Sequence, residues 1–160
     1  MRIVLQRVSR AAVTVDGTEC ARIGPGLLLL VGVGEGDDEH TASRVAAKVA
    51  RLRLFPGLEG REFDGPVGDA GGAILVVSQC TLMGDVRRGN RPSWARAARP
   101  EDAEPVTLAL ARALEDEGLQ VSRGVFGAMM QVDLVNDGPV TLVLDSPALE
   151  AHRNGGDPPR

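Results

Sequence analysis

The sequence predicts a single α/β domain, with a mixed, mainly antiparallel sheet that curves toward a barrel and two long helices on one face of that sheet. Strand-like segments outnumber helical ones, and only two segments repeat apolar residues at helical spacing. A doubly wound parallel sheet would need more helices between its strands. With 160 residues, the chain is long enough for one core and short for two. We therefore expect one domain over residues 1–146 and a mobile, Pro- and Gly-rich tail over residues 147–160.

The first predicted strands precede any helix. Residues 2–8 and 11–15 alternate as two strands, and the Asp-Gly pair at 16–17 favours a hairpin turn into a third strand near 18–23. Residues 27–34, LLLLVGVG, are apolar on both faces of a strand. This pattern is typical of a central strand.

Two segments follow a helical pattern. The first is predicted to begin at Asp37 or Asp38, either of which can cap a helix, and its apolar face includes Val45 and Val49. The second runs from 102 to 117 and ends before a glycine. Both helices are amphipathic, so we expect them to cover one face of the sheet.

Between and after the helices, further strands are predicted. Residues 51–55, RLRLF, alternate as a strand, and residues 56–72 have the glycines and prolines of a loop. The β-branched run 73–82, AILVVSQCTL, predicts a buried strand that leaves the core at Ser78.

The last predicted strands, residues 129–135 and 139–145, flank a Gly138-Pro139 pair as in a hairpin. Asn-Gly or Asp-Gly would turn the chain more easily than Gly-Pro does. A Gly-Pro bond is one of the few places where a cis peptide costs little, and a rigid turn fixes the direction of its carbonyl groups. The sequence alone does not decide between cis and trans.

Composition indicates a soluble cytoplasmic protein. Hydrophobic residues make up 43% of the chain and charged residues 25%, and there is no apolar run long enough for a signal peptide or a membrane span. The two cysteines, Cys20 and Cys80, belong to no CxxC or Cys/His cluster and are interpreted as reduced thiols. We expect no membrane partner.

The net charge of −4 conceals a basic segment. Residues 87–99 contain five arginines and no acidic residue. This asymmetry favours contact with a polyanion, although a solvated loop would have the same composition.

Side chains alone do not specify a familiar reaction. The two histidines, His40 and His152, lie at a helix start and in the tail, which leaves a Ser-His-Asp or Cys-His triad and a zinc site without support. We therefore expect neither a metal nor another cofactor. Cys80 ends a buried apolar run, where a thiol is more often packing than nucleophile.

Two polar segments remain, SQCTL at 78–82 and NDGPVT at 136–141. Taken singly, each is explained by side chains that satisfy backbone groups at strand ends. Together, and with the flanking segments MRIVLQRVSRAAVTVDG, GLLLLVGV, RGNRPSW and FGAMMQVDLV, they resemble the D-aminoacyl-tRNA deacylases of bacteria and eukaryotes. Both signatures of that family, Ser-Gln-x-Thr-Leu and Asn-x-Gly-Pro-x-Thr, are complete, and the resemblance covers residues 1–146.

The resemblance implies hydrolysis of the ester that joins a D-amino acid to the terminal ribose of tRNA. It further implies a homodimer, in which a cis Gly138-Pro139 turn of one subunit enters the other subunit's site and excludes L side chains by steric clash. Glycine would pass this filter, so Gly-tRNA, especially glycine mischarged on tRNA(Ala), is an expected second substrate. RNA is the implied partner, and DNA is not.

The resemblance also assigns residues. The 2′-hydroxyl of the terminal adenosine assists the attack, while backbone N–H groups near residue 80 stabilise the oxyanion. The catalytic segment comprises Ser78, Gln79, Cys80 and Thr81. The residues implied in substrate binding and chiral selection are Met130, Asn136, Gly138, Pro139 and Thr141, and those implied in contact with tRNA phosphates are Arg87, Arg88 and Arg91.

Two positions depart from the family pattern: Cys80 replaces a common Phe, and Met129 replaces Asp or Tyr. Three alternatives remain open. A related deacylase with a trans Gly-Pro bond would act on a small L-aminoacyl-tRNA. A non-enzymatic RNA-binding module would use the arginine segment alone, and a thiol hydrolase would use Cys80 as its nucleophile.

Overall fold

The computed structural model describes residues 1–57 and 59–147, and these form one six-stranded sheet with two α-helices. The elements in chain order are β1 (Arg2–Val15), β2 (Thr18–Ile23), β3 (Gly26–Gly32), α1 (Glu39–Arg51), β4 (Ala73–Ser78), a 3₁₀ turn (Cys80–Met83), α2 (Pro100–Asp116), β5 (Val121–Arg123) and β6 (Met130–Asp145). Of the predicted tail, only residue 147 is among the described residues. No helix in the described ranges is long and apolar enough to cross a membrane.

The sheet is mixed and curved, which confirms the predicted fold class. Its strand order is β2-β1-β3-β4-β5, and β6 pairs with β1. All the pairs made by β1 are antiparallel, whereas β3-β4 and β4-β5 are parallel. The hydroxyl of Ser122 in β5 donates to the carbonyl of Arg22 in β2, at 3.4 Å. This contact joins the two ends of the strand order, so the sheet is nearly closed.

Apolar residues fill both sides of the central strands. Leu27 and Leu29 of β3 belong to a core that includes buried residues of α1 and α2, whereas Leu28 belongs to a second cluster within the curve of the sheet. β3 is therefore a central strand, as its continuous apolar run predicted. α1 is capped by Asp38, whose carboxylate accepts from the backbone N–H of Thr41 at 2.8 Å.

The hairpin predicted at Gly138-Pro139 is wrong. β6 is one strand that keeps pairing with β1: Asn136 lies opposite Val8, and Thr141 lies opposite Gln6. Two steps along β1 thus correspond to five along β6, and residues 137–140 form a bulge. A bulge accommodates proline because its missing N–H is not required by the ladder.

Two smaller predictions also fail, and one strand was not predicted. Residues 2–8 and 11–15 are not two strands but one continuous strand, β1. Residues 51–55 form no strand, because α1 extends to residue 51 and only Phe55 forms an isolated bridge, with Gly65. β5 was not predicted, since three residues are too few to show a period.

Candidate active site

The segment Ser78–Thr81 lies where β4 ends and the 3₁₀ turn begins. The N–H of Gln79 donates to the carbonyl of Val31 at 2.7 Å, which continues the pairing of β4 with β3 for one residue. The turn then packs directly on β3, since a Cβ built on Gly32 would lie 3.0 Å from the Cβ of Leu82. Glycine at position 32 thus permits the turn to fold back over the end of β3.

The side chains of this segment differ in exposure. Ser78 and Gln79 are half-buried, while Cys80 and Thr81 are exposed. The amide of Gln79 donates to the hydroxyl oxygen of Thr81 at 2.5 Å. An amide is not a base, so Thr81 has no group here that could remove its proton. Cys80 and Thr81 stand in the first turn of this helix, where backbone N–H groups have no acceptor within the helix itself.

Cys80 does not pack in the core, contrary to the interpretation of its apolar run. It is exposed because β4 ends two residues earlier and the chain turns outward. Cys20 is exposed as well, and its thiol donates to the carbonyl of Val13 at 3.3 Å.

Two cavities meet at Ser78. The smaller, about 140 Å³, lies between β4, α2 and the segment after β5. The larger, about 400 Å³, lies between the end of β3, the 3₁₀ turn and the start of α2. Three residues line both cavities: Ser78, Thr107 and Phe126. The predicted catalytic segment thus borders a concave site, as a hydrolase requires.

Sequence reasoning missed Thr107 and Phe126. The hydroxyl of Thr107 donates to the carbonyl of Ala103 at 2.8 Å within α2, so its proton is already used in a hydrogen bond. Phe126 lies in the loop between β5 and β6, where no periodic pattern marks it. Of the histidines, His40 lies on α1 and lines neither cavity, and His152 lies outside the described residues.

The Gly138-Pro139 bulge is exposed, and the peptide bond between these residues is cis. The amide of Asn136 braces it by donating to the carbonyls of Arg7 and Val140, at 2.9 Å and 3.2 Å. The brace is close-packed, since a Cβ on Gly138 would lie 2.7 Å from the amide oxygen of Asn136.

Arg7 supports the bulge from β1. Its Nε donates to the backbone carbonyl of Asp137 at 3.1 Å and forms an ion pair with the carboxylate of Asp137 at 3.0 Å. Its Nη1 donates to the carbonyl of Leu54 at 2.5 Å, and the guanidinium lies 5.8 Å from the ring centres of both Phe55 and Phe63. Because the Arg7 side chain is only 11% exposed, its direction is fixed, and it holds Asp137 in place.

The bulge and the Ser78 corner are apart within one chain. Ser78 pairs with Val31, and Val31 pairs with Ile3 of β1, whereas the bulge lies beside Arg7. The bulge itself lies on β6, one strand beyond β1, so four residues along β1 and three strand spacings across the sheet amount to a separation of roughly 20 Å. Neither Gly138 nor Pro139 lines either cavity.

The other two predicted substrate residues are divided between these regions. Thr141 lies beside the bulge and accepts at its hydroxyl from the amide of Gln6, at 3.1 Å. Met130 packs near the Ser78 side instead: a Cβ on Gly124, which lines the smaller cavity, would lie 2.7 Å from the Met130 sulfur. Met129 is 90% exposed and contributes to neither cavity.

The predicted basic segment forms a loop closed at its base. Asp85 and Ser93 exchange two backbone hydrogen bonds of 2.9 Å and 2.8 Å, and three of the five arginines, Arg87, Arg88 and Arg91, lie between them. Arg87 donates from Nε to Asp85 at 2.9 Å, and this hydrogen bond lowers the pKa of the Asp85 carboxyl. Asp85 lies two residues before the basic segment 87–99, which itself contains no acidic residue. Arg88 and Arg91 are exposed and form no ion pair within the described ranges, so of the three arginines in this loop they are better placed for an anion than Arg87.

Comparisons with known proteins identify the family of this chain. A family model described as D-Tyr-tRNA(Tyr) deacylase matches residues 4–145. A D-aminoacyl-tRNA deacylase of Roseiflexus castenholzii is 55% identical over 154 residues, which are 96% of this chain and 98% of that protein. The corresponding protein of Thermomicrobium roseum is 54% identical over 149 residues, which are 93% of this chain and 96% of that protein.

Two solved structures share the fold. A c-Myc DNA Unwinding Element Binding Protein superposes with a TM-score of 0.85 and 38% identity, covering 92% of this chain and 99% of that one. A probable eukaryotic D-amino acid tRNA deacylase superposes with a TM-score of 0.75, covering 89% of this chain and 97% of that one. At 13% identity, the second likeness concerns the fold alone.

Proposed function

The chain belongs to the D-Tyr-tRNA(Tyr) deacylase family, and on this premise we propose that it hydrolyses the ester of D-aminoacyl-tRNA to give the free D-amino acid and tRNA. The observation that carries the proposal is the position of the Ser78–Thr81 segment at the meeting point of two cavities. We assign the activity to residues 1–146. The substrate circulates in the cytoplasm, where we expect the protein to act.

The chemistry we propose needs no side-chain nucleophile. Neither cavity is lined by a histidine, and the Thr81 hydroxyl oxygen accepts a hydrogen bond from the side-chain amide of Gln79. We propose that the 2′-hydroxyl of the terminal adenosine assists the attack of water on the carbonyl carbon of the ester. The N–H groups of Cys80 and Thr81 would stabilise the charge that develops on the ester carbonyl oxygen. Ser78 and Gln79 would orient the ester.

The handedness filter is proposed to come from a second copy of the chain. The carbonyls of Gly138 and Pro139 would face the α-carbon of the substrate and leave room for hydrogen but not for an L side chain. Three observations support this: the bulge is exposed, it is braced by Asn136 and Arg7, and it is remote from the cavities of its own chain. A braced backbone suits a steric filter because it cannot rotate away as a side chain can. Glycine esters would pass the filter, including glycine mischarged on tRNA(Ala).

Contact with tRNA is assigned to the arginine loop. Arg88 and Arg91 offer exposed guanidinium groups for phosphates, and Arg87 contributes less because Asp85 already neutralises part of its charge. The 2′-hydroxyl requirement gives a reason for a preference for RNA over DNA.

The direct test is a comparison of three substrates. We expect rapid hydrolysis of D-Tyr-tRNA, measurable hydrolysis of Gly-tRNA and little hydrolysis of L-Ala-tRNA, measured as release of labelled amino acid. Cleavage of the L-ester at a rate similar to the D-ester would reject the filter but retain a deacylase. Tight tRNA binding without cleavage of any ester would favour a non-enzymatic RNA-binding module.

A further inference from the structure

The aromatic residues of this chain form two pairs. The whole sequence has three Phe, one Trp and no Tyr. Phe55 and Phe63 lie on the Arg7 guanidinium, whereas Phe126 and Trp94 line the larger cavity beside Ser78. Phe126 is half-buried and also borders the smaller cavity, so it has a packing role. Trp94 is 47% exposed, which is a large apolar surface to leave in water beside a site.

The position of Trp94 is fixed on both sides. Its ring packs on Gly84, where a Cβ would lie 2.6 Å from Cζ3 of the ring. The preceding residue, Ser93, closes the base of the arginine loop with Asp85, and the carbonyl of Trp94 accepts from the N–H of Ala97 at 2.9 Å. Trp94 therefore stands between two features: the cavity beside Ser78 and the loop that carries Arg88 and Arg91.

Exposed arginines followed by an exposed aromatic ring are the elements with which proteins bind single-stranded nucleic acid. The guanidinium groups contact phosphates, and the ring stacks on a base without regard to its identity. Resting on the proposed function, we propose that the exposed part of Trp94 stacks on the base that precedes the esterified nucleotide of the tRNA 3′ end. The esterified nucleotide itself occupies the cavity at Ser78, and Arg88 and Arg91 hold the phosphates further upstream.

The chain carries its own reporter for this contact, because Trp94 is its single tryptophan and it has no tyrosine. The probe is a short RNA that ends in CCA, carries no amino acid and is labelled at its 5′ end. It is titrated with the protein while the anisotropy of the label and the emission of the tryptophan are measured. We expect the emission to be quenched along the same binding curve as the anisotropy. RNA binding that leaves the emission unchanged would overturn the proposal, as would an absence of RNA binding in a protein that hydrolyses D-Tyr-tRNA. Failure of the proposed function is separate, since it would appear as no hydrolysis of any aminoacyl-tRNA.

Variants sharpen the test. Trp94→Phe keeps a ring and should bind the RNA within about threefold of the unaltered protein, whereas Trp94→Leu should bind it roughly 10- to 100-fold more weakly. The double variant Arg88→Gln, Arg91→Gln leaves the packing of Trp94 on Gly84 in place and should reduce the slope of log K against log[salt] by about 1.4. Arg112→Gln removes one positive charge at an exposed position of α2, away from the arginine loop, and it should alter neither quantity. Equal RNA binding by the Leu and Phe variants, or an unchanged salt slope in the double variant, would contradict the proposal.

Discussion

The Ser78 corner and the Gly138-Pro139 bulge are built in opposite ways. The corner has two cavities, but its outermost side chains, Cys80 and Thr81, are exposed and lightly held. The bulge is held firmly by Asn136 and Arg7 but borders neither cavity. One region thus offers space and the other offers a fixed shape, and each lacks what the other has. The contrast suggests that a complete site combines the corner of one copy with the bulge of another.

The largest expected effect comes from mixing two blocked variants. Cys80→Trp should obstruct the cavity of its own chain, and Gly138→Val should obstruct the cavity of the partner, so each homodimer should be nearly inactive on D-Tyr-tRNA. Random exchange gives half heterodimers, and each of these has one unobstructed site. The mixture should therefore recover roughly a quarter of the unaltered activity.

This complementation has a clear control. Mixing two preparations of Cys80→Trp should recover nothing. If native mass spectrometry detects the heterodimer but the mixture stays inactive, the bulge of one copy does not contribute to the site of the other.

The next effect concerns the corner alone. If the RNA assists the reaction, replacing the terminal adenosine of D-Tyr-tRNA by its 2′-deoxy form should lower single-turnover hydrolysis by roughly 100-fold or more. Thr81→Ala and Cys80→Ala should retain measurable deacylation, because neither side chain is the proposed nucleophile. Unchanged turnover of the deoxy substrate, or complete loss of deacylation in either variant, would indicate that a protein side chain is the nucleophile.

The support of the bulge is tested at Arg7. Arg7→Met removes hydrogen bonds to two backbone carbonyls in a setting that is only 11% exposed, so the free energy of unfolding should fall by about 2 kcal/mol in urea titrations. We also expect a smaller preference for D-Tyr-tRNA over L-Ala-tRNA. Arg53→Met is the matched control, because the Arg53 side chain is 65% exposed and its ion pair with Asp64 should contribute about 0.5 kcal/mol. Equal losses in both variants would mean that the bulge is held by other contacts.

The smallest effect concerns the contact that ties β6 to the 3₁₀ turn. Arg2 donates to Asp145 at 2.7 Å and to the carbonyl of Leu82 at 3.5 Å. The hydrogen bond from Arg2 holds the pKa of the Asp145 carboxyl below its ordinary value of 3.8. A lowered folded-state pKa stabilises the fold above the unfolded-state value, and this stabilisation is lost as the pH falls from about 4 through the folded-state value.

The loss should be less than about 1 kcal/mol, because both side chains are more than a third exposed. Asp145→Asn should flatten this part of the pH-stability curve, measured by urea titrations between pH 5 and pH 2. An identical curve in the Asn variant would show that the acid sensitivity arises elsewhere.

The sequence was informative where a local pattern determined the structure. The apolar run of β3 predicted a central strand, and the polar letters after Val77 predicted where β4 leaves the core. The bulge was mistaken for a hairpin because both structures are compatible with the same local sequence. What distinguishes them is the pairing of β6 with β1, which lies about 130 residues away in the chain. The roles of Thr107 and Phe126 were not visible for the same reason, since the cavities exist only where α2 and the loop after β5 approach β4.

The brace across the bulge has one more implication. Asn136 spans residues 137–140 with an uncharged amide, and both of its acceptors are backbone carbonyls. Neither partner gains or loses a proton near neutrality, and dissolved ions hardly weaken such contacts. The arginine loop, by contrast, is proposed to attract RNA through charge. A change in cellular ion content should therefore alter how tightly the protein captures RNA more than it alters the part of the bulge that Asn136 holds.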